Sequence, residues 1–428
     1  MKDLIVIGSG AMGLAAAFHA SKKGKKVIVL EGQGTPGGMA AHFEFSNISL
    51  EKYYHFICST DYDTFALLDE LGISDKLIWK ETTSGYYLNG KLFKWGNPLS
   101  LLIAPGLNIF EKLRYGIFAY IQTRRTKWSI LENISATDWI KKWCGLSLYK
   151  KLWEPLFILK FHEYADNISA AWIWTRIKRI GVSRYSLFKE KLGHLDGGTQ
   201  TLVDALIKYI QAHGGEIYLS NKVEKIECND NKATVITATS TFEAKKIICT
   251  VPLQELPTIE PSFEQNLENK YKDIENIGVV CVVLNLKKKV SEHFWVNISM
   301  KGWNIPGIIE FSNLRDFQDN NIVYVPYYMP TTNHLWERSN DEFVEEAFNY
   351  IQEINQDIND CDLVSSYVGR LKNSQPICEP GFLQKIPDIQ TPHSVLQIAD
   401  TCFYYPEDRG ISESVRIGRE MAERISDG

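Results

Sequence analysis

The strongest constraint on this chain lies between Asp3 and Glu31. Asp3-Leu4-Ile5-Val6-Ile7 is a short, mostly β-branched apolar run of the kind that forms a buried parallel strand. Gly8-Ser9-Gly10-Ala11-Met12-Gly13 follows, then a helix-forming stretch to about Lys23, closed by Gly24. Lys26 to Leu30 reads as a second strand ending at Glu31. A Gly-x-Gly-x-x-Gly string means little alone, but between a strand and a helix it predicts a nucleotide-binding βαβ opening. Gly8 then permits the tight turn, Gly10 lets the main chain approach a pyrophosphate, and Gly13 allows close helix packing. The helix start at Ala11 and Met12 offers unpaired N–H groups and a favourable dipole. Glu31 stands where a carboxylate binds ribose hydroxyls and disfavours a 2′-phosphate. The competing reading is a structural glycine turn with no nucleotide.

The rest of the chain is too long for one core, at 428 residues. From Tyr53 to about Lys191 it is aromatic, basic and largely helical by pattern. A helix is predicted over 200–213, short strands over 216–250 with a turn at Asn229-Asp230-Asn231, and a strand-rich stretch over 276–330. A helix near 340–356 and a strand near 363–370 precede a closing strand, loop and helix over 395–425. The order implies an α/β fold with a discontinuous nucleotide domain (1–80, 192–255 and 385–428). Between its pieces lie a helical, aromatic-rich subdomain (81–191) and a sheet-rich substrate domain (256–384).

A net charge of -5 speaks against a nucleic-acid partner. The eight cysteines form no CxxC and accompany no paired histidines, so neither a metal site nor a disulfide framework is expected. Cys249 and Cys281 sit in apolar runs and are expected to be buried thiols, which suits a reducing, cytoplasmic setting. The start, Met1 to Ala17, faintly suggests a signal peptide, but Asp3 comes early and three glycines interrupt the run. No stretch reaches the roughly 18 apolar residues of a membrane-spanning helix.

Glu31-Gly32-Gln33-Gly34-Thr35-Pro36-Gly37-Gly38-Met39 resembles the second flavin fingerprint of the FAD-dependent amine oxidase, phytoene desaturase and protoporphyrinogen oxidase superfamily. Adjacent glycines let the main chain pass close to phosphates and ribityl chain. Many relatives carry Arg after the pair, where this chain has Met39. Asp196-Gly197-Gly198-Thr199-Gln200-Thr201-Leu202 resembles an internal element of the same superfamily, and Val223 falls where relatives touch the adenine. Ile398-Ala399-Asp400 resembles the closing motif, making Asp400 the acidic candidate for the ribityl or pyrophosphate region. A helix starting at Gly410, Ile411 and Ser412 would aim its N-terminus at the flavin ring. The pattern is most similar to bacterial protoporphyrinogen-oxidase-like and UDP-galactopyranose-mutase-like proteins. The resemblance implies a Rossmann-type (GR2-like) FAD-binding domain, an inserted antiparallel-sheet substrate domain and a helical subdomain.

Four residues are candidates for chemistry beside the ring. Tyr54 and His55, in EKYYHFICSTD, follow the double glycine in a region that approaches the flavin or substrate in relatives. His55 could exchange a proton near neutral pH, or be a hydrogen-bonded core histidine. Lys160, like Glu154, is charged within the apolar WEPLFILKF, where burial shifts a pKa; a salt-bridged helix surface is the alternative. Arg370 could clamp an anionic substrate group, or pair structurally with a carboxylate. Tyr324, Tyr327 and Tyr328 are expected to line the inserted sheet as core.

The stretch 99–125 mixes bulky apolar residues with Lys112, Arg114, Arg124 and Arg125 around Pro105-Gly106. It is either a peripheral membrane contact or an ordinary buried helical segment. The leading expectation is an FAD-dependent oxidoreductase passing hydride from a small organic substrate, lipophilic or glycan-related, to flavin N5. A non-redox isomerase resembling UDP-galactopyranose mutase and a flavin-free escort-like binding protein are the alternatives.

Overall fold

In the computed structural model, residues 1–186, 189–229, 232–261 and 273–426 are described. The expected turn at 229–231 and part of the predicted substrate domain therefore lie outside the described residues. The apolar opening strand Lys2–Ile7 is buried from Leu4 to Ile7 and pairs in parallel with Val27–Leu30 on one side and Thr241–Cys249 on the other. Glu216–Tyr218 extends the sheet beyond Val27–Leu30. Strand Thr241–Cys249 is shared: its first half takes Ala233–Thr237 antiparallel and its last residues take Leu396–Ile398 in parallel. Three distant segments thus build one seven-stranded sheet, as expected for a nucleotide domain interrupted twice.

Two helices cross on this sheet. Ala11–Lys22 packs against the closing helix Ile411–Ser426 so tightly that a Cβ on Gly418 would lie 2.4 Å from the Met12 carbonyl oxygen. The interior offers no room for another methyl there.

The second large sheet runs Leu363–Pro376, Asn276–Leu286, Asn321–Met329, Gly307–Glu310, Trp295–Ser299, Ser84–Leu88 and Lys91–Trp95. Its pairs are antiparallel except Trp295–Ser299 with Ser84–Leu88. Residues 84–95, expected within the helical block, thus belong to this sheet. Its two faces are sorted by strand alternation. Tyr324 and Tyr328 point to the interior shared with the nucleotide domain, while Val325 and Tyr327 point to helix Asn340–Ile354.

The helical block comprises Pro98–Ile103, Ile109–Arg124, Ala136–Cys144, Leu146–Leu152, Glu154–Phe161 and Ala170–Val182. It is joined to the closing segment by a buried hydrogen-bond chain. Ser169 Oγ meets the Tyr405 hydroxyl at 2.7 Å, and that hydroxyl donates to Glu132. No helix among the described residues is long and apolar enough to cross a membrane.

Candidate functional site

Three glycine elements converge at the carboxyl end of the Rossmann sheet. Gly8 has φ +99, and Gly13 lies so close beneath it that a Cβ there would stand 2.0 Å from the Gly8 carbonyl oxygen. The Gly37 N–H donates to the Ser9 carbonyl at 2.9 Å, and a Cβ on Gly38 would meet Gly10 Cα at 3.1 Å. The third element docks on the second, because Thr199 Oγ1, just after Gly197-Gly198, donates to the Ala40 carbonyl at 2.7 Å. Met39 lies half-buried in the turn Gly38–Ala40.

Gly10 differs from its neighbours. Its backbone is extended (φ -65, ψ 173), which any residue adopts, and a Cβ there would meet nothing within 4 Å. It caps helix Ala11–Lys22 without any side-chain hydrogen bond, so open space adjoins the helix start, whose first-turn amides have no intrahelical partner. That is the form of a phosphate cradle. Glu31 completes it: one carboxylate oxygen accepts from Ser9 N at 2.9 Å and Ser9 Oγ at 2.7 Å, the other from Gln33 N at 2.8 Å. A carboxylate has about four acceptor positions, so one remains for a ribose hydroxyl. Asn221 N donates to the Glu31 carbonyl at 2.8 Å and Lys222 packs on Gly32, which brings the buried Val223 to the same end.

Asp400 follows strand Leu396–Ile398. Its carboxylate accepts from Leu253 N at 3.0 Å and Cys402 N at 2.9 Å, tying two crossing loops together, while burial raises its pKa. Ile411, the first residue of the closing helix, shares a small cavity with His55, Glu51 and Thr199; Ser412 is buried beside it.

A second group gathers where all three parts of the molecule meet. The hydroxyls of Tyr54 and Tyr328 lie 3.1 Å apart, and Arg409 reaches the Tyr328 hydroxyl at 3.4 Å. The Lys160 ammonium nitrogen stands 5.2 Å over the Tyr328 ring. Burial, followed by repulsion from Arg176, holds the Lys160 amine well below the ordinary lysine value. Arg176 is itself paired with Asp408 at 2.7 Å. Lys160, Tyr54 and Arg409 are half-buried, so part of each side chain stays accessible.

The sequence candidates divide accordingly. Tyr54 and Lys160 come together at this group. His55 lies next to it, but its Nδ1 donates to the Tyr53 carbonyl at 2.7 Å, and burial, with Arg409 adding to it, pushes the imidazole down to about 4. Of the two readings the sequence left open, this bond and this burial favour the hydrogen-bonded core histidine over proton exchange near neutrality. Arg370 is engaged structurally, although with main-chain carbonyls rather than a carboxylate. Its guanidinium donates to the carbonyls of Trp336 and Arg338 and to Asn340 Oδ1, over the Phe343 ring. It occupies the helix-covered face of the sheet, whereas the adjacent Gly369 faces Tyr53 on the other. Tyr328, Arg409, Asp408 and Arg176 were not expected at the site. The signal for Asp408 and Arg409 was an adjacent charged pair just before the closing helix, and Arg176 carried none.

Fold and site together define a flavoprotein of the oxidoreductase class. The chain belongs to the flavin-containing amine oxidoreductase family, whose profile matches residues 13–367. It is 23% identical over 434 residues to the 15-cis-phytoene desaturase of Capsicum annuum, covering 90% of this chain and 72% of that protein. Across four such plant desaturases it spans between 59% and 72% of their length. Among solved structures it superposes on putrescine oxidase bound to putrescine with a TM-score of 0.77 at 16% identity, covering 100% of this chain and 99% of that one. Reduced UDP-galactopyranose mutase gives 0.76 at 16% identity, covering 100% and 96%. A candidate protoporphyrinogen oxidase from Exiguobacterium sp. 255-15 gives 0.76 at 15% identity, covering 99% and 98%.

Proposed function

We propose that the chain is an FAD-dependent oxidoreductase that oxidises an organic substrate held between Tyr54, Tyr328 and Lys160. The observation that carries this reading is the placement of the Lys160 amine, 5.2 Å from the Tyr328 ring and beside the paired tyrosine hydroxyls and Arg409, where burial lowers its pKa. The residues that would hold the cofactor are Gly10, Ala11, Met12 and Glu31 at the pyrophosphate and ribose, Gly37 to Met39 along the chain, and Val223 at the adenine. When bound, the flavin supplies a hydride acceptor at N5. Oxidising an H–C–X–H group to C=X also releases a proton, and the Lys160 amine, whose lowered pKa favours its unprotonated form, takes it. Tyr54 and Tyr328 orient the X atom by hydrogen bonding, and the surrounding apolar side chains exclude water.

A sugar-nucleotide isomerase would need free arginines for a diphosphate. Arg176 and Arg179 are paired with Asp408 and Asp61, Arg409 donates to Ser374, and Arg370 donates to main-chain carbonyls, which favours the oxidoreductase reading. Anaerobic titration of the flavin-loaded protein with amines, alcohols and unsaturated lipids tests it. Bleaching of the flavin bands by a member of one class supports oxidation. Turnover of UDP-galactopyranose only after prior flavin reduction would replace it with isomerisation.

A further inference from the structure

Helix Ile109–Arg124 is amphipathic in the inverted sense. At about 100° per residue, Ile109, Phe110, Leu113, Ile117, Tyr120 and Ile121 fall within about 120° of arc. All six are exposed, Phe110 by 78%. The opposite arc carries Glu111, Phe118 and Gln122, and these are buried. The inward polar groups are anchored: Glu111 accepts from Lys151 at 2.8 Å and Ser147 at 2.7 Å, and Gln122 Oε1 accepts from Arg125 at 2.8 Å. The helix is therefore held with its apolar face outward. Leu99, Leu102 and Ile103 of the preceding helix are exposed as well, and Lys112 ties the two helices by donating to the Leu102 carbonyl at 2.6 Å. A contiguous apolar face of this kind on a soluble fold marks a contact surface.

Charge identifies what covers it. Residues 98–131 hold five cations (Lys112, Arg114, Arg124, Arg125 and Lys127) and one acid, Glu111, although the whole chain carries -5. That acid is turned inward and paired with Lys151. We propose that this face docks on an anionic lipid bilayer, the helix lying in the plane of the head groups. The six apolar side chains enter the acyl boundary while the surrounding cations meet anionic head groups. The turn joining the two helices, at Ala104 to Leu107, also lines a cleft with Tyr86, Phe93 and Trp95. Docking would place that aromatic cleft at the lipid surface.

The proposal is independent of the flavin reading, because sedimentation with vesicles and the visible spectrum are separate readouts. The test mixes the full-length, flavin-loaded protein with phosphatidylcholine vesicles, with and without phosphatidylglycerol. Sedimentation with the anionic vesicles, weakening as salt rises, is expected. The double variant Phe110→Glu, Leu113→Glu should lower vesicle partition roughly tenfold or more. Its flavin content and melting temperature should match wild type, since both side chains are mostly exposed. Arg124→Glu with Lys127→Glu should weaken binding to anionic vesicles selectively. No sedimentation with either vesicle, or unchanged sedimentation of the apolar double variant, would overturn the proposal. So would a wild-type dimer that the same variant splits without any vesicle binding, which would assign the face to a second copy of the chain.

Discussion

The Tyr54 and Tyr328 hydroxyls meet at 3.1 Å, one on the loop after strand Ile48–Glu51 and the other on strand Asn321–Met329. Burial, then its tyrosine neighbour, raises Tyr54 well above the ordinary phenol value, so its hydroxyl is placed to orient a substrate rather than to act as a base. Tyr328→Phe should retain the flavin and lower kcat/KM roughly tenfold, about one hydrogen bond. Steady-state kinetics with an identified substrate checks this, and unchanged kcat/KM would remove the pair from the reaction site.

Lys160 carries the proton in this scheme. Lys160→Met should lower kcat about a hundredfold with flavin content unchanged. The wild-type rate should rise with pH as the amine loses its proton, and that limb should lie below 10.5 because burial lowers the Lys160 value. The pH–rate profiles of both forms decide the matter. A limb that survives in the variant would belong to another group.

Arg370 should behave as a structural residue. Arg370→Ala leaves the carbonyls of Trp336 and Arg338 without their donor, which should cost about 1–3 kcal/mol of stability. Denaturant unfolding should show the loss while KM for substrate stays unchanged. A raised KM at wild-type stability would return Arg370 to the role of anion clamp.

His42 links stability to pH. Its ring bonds Ser49 Oγ and Thr199 Oγ1, each at 3.0 Å, and burial, then Arg315, pushes it down from 6.5 to about 3. Between those values the unfolded chain binds a proton that the folded chain does not. Its contribution to stability is thus complete above pH 6.5 and is lost progressively as pH falls toward about 3. His42→Gln should flatten that slope in denaturant unfolding measured at stepped pH. An equally steep slope in the variant would assign the loss to other groups.

The nucleotide half was legible because its constraints are local. Gly8, Gly13 and Gly37-Gly38 each answer a backbone requirement that sequence spacing records, while Gly10 leaves open space before the helix. Even their convergence follows from strand order, since Lys2–Ile7 and Thr241–Cys249 must be neighbours to bury both faces. Of the proposed substrate site, the sequence pointed only to Tyr54 and Lys160. Tyr328 looks like any strand tyrosine until alternation decides which face it takes, and Arg370 looked free until helix Asn340–Ile354 covered it. Residues 84–95 were misplaced for the same reason, because their partner strand, Trp295–Ser299, lies about two hundred residues away. In the helix Ile109–Arg124, apolar residues on both faces hid the separation that the fold makes plain.

The most direct test of the flavin site is the visible spectrum of wild-type protein and Gly10→Val, before and after anaerobic dithionite. Nothing lies within 4 Å of a Cβ at Gly10, so the variant should fold and melt as wild type does while its side chain fills the phosphate cradle. Wild type should show flavin bands that bleach on reduction, and Gly10→Val should be colourless and fail to take up added FAD. Equal flavin occupancy in both, or a colourless wild type that refuses FAD, would contradict the assignment.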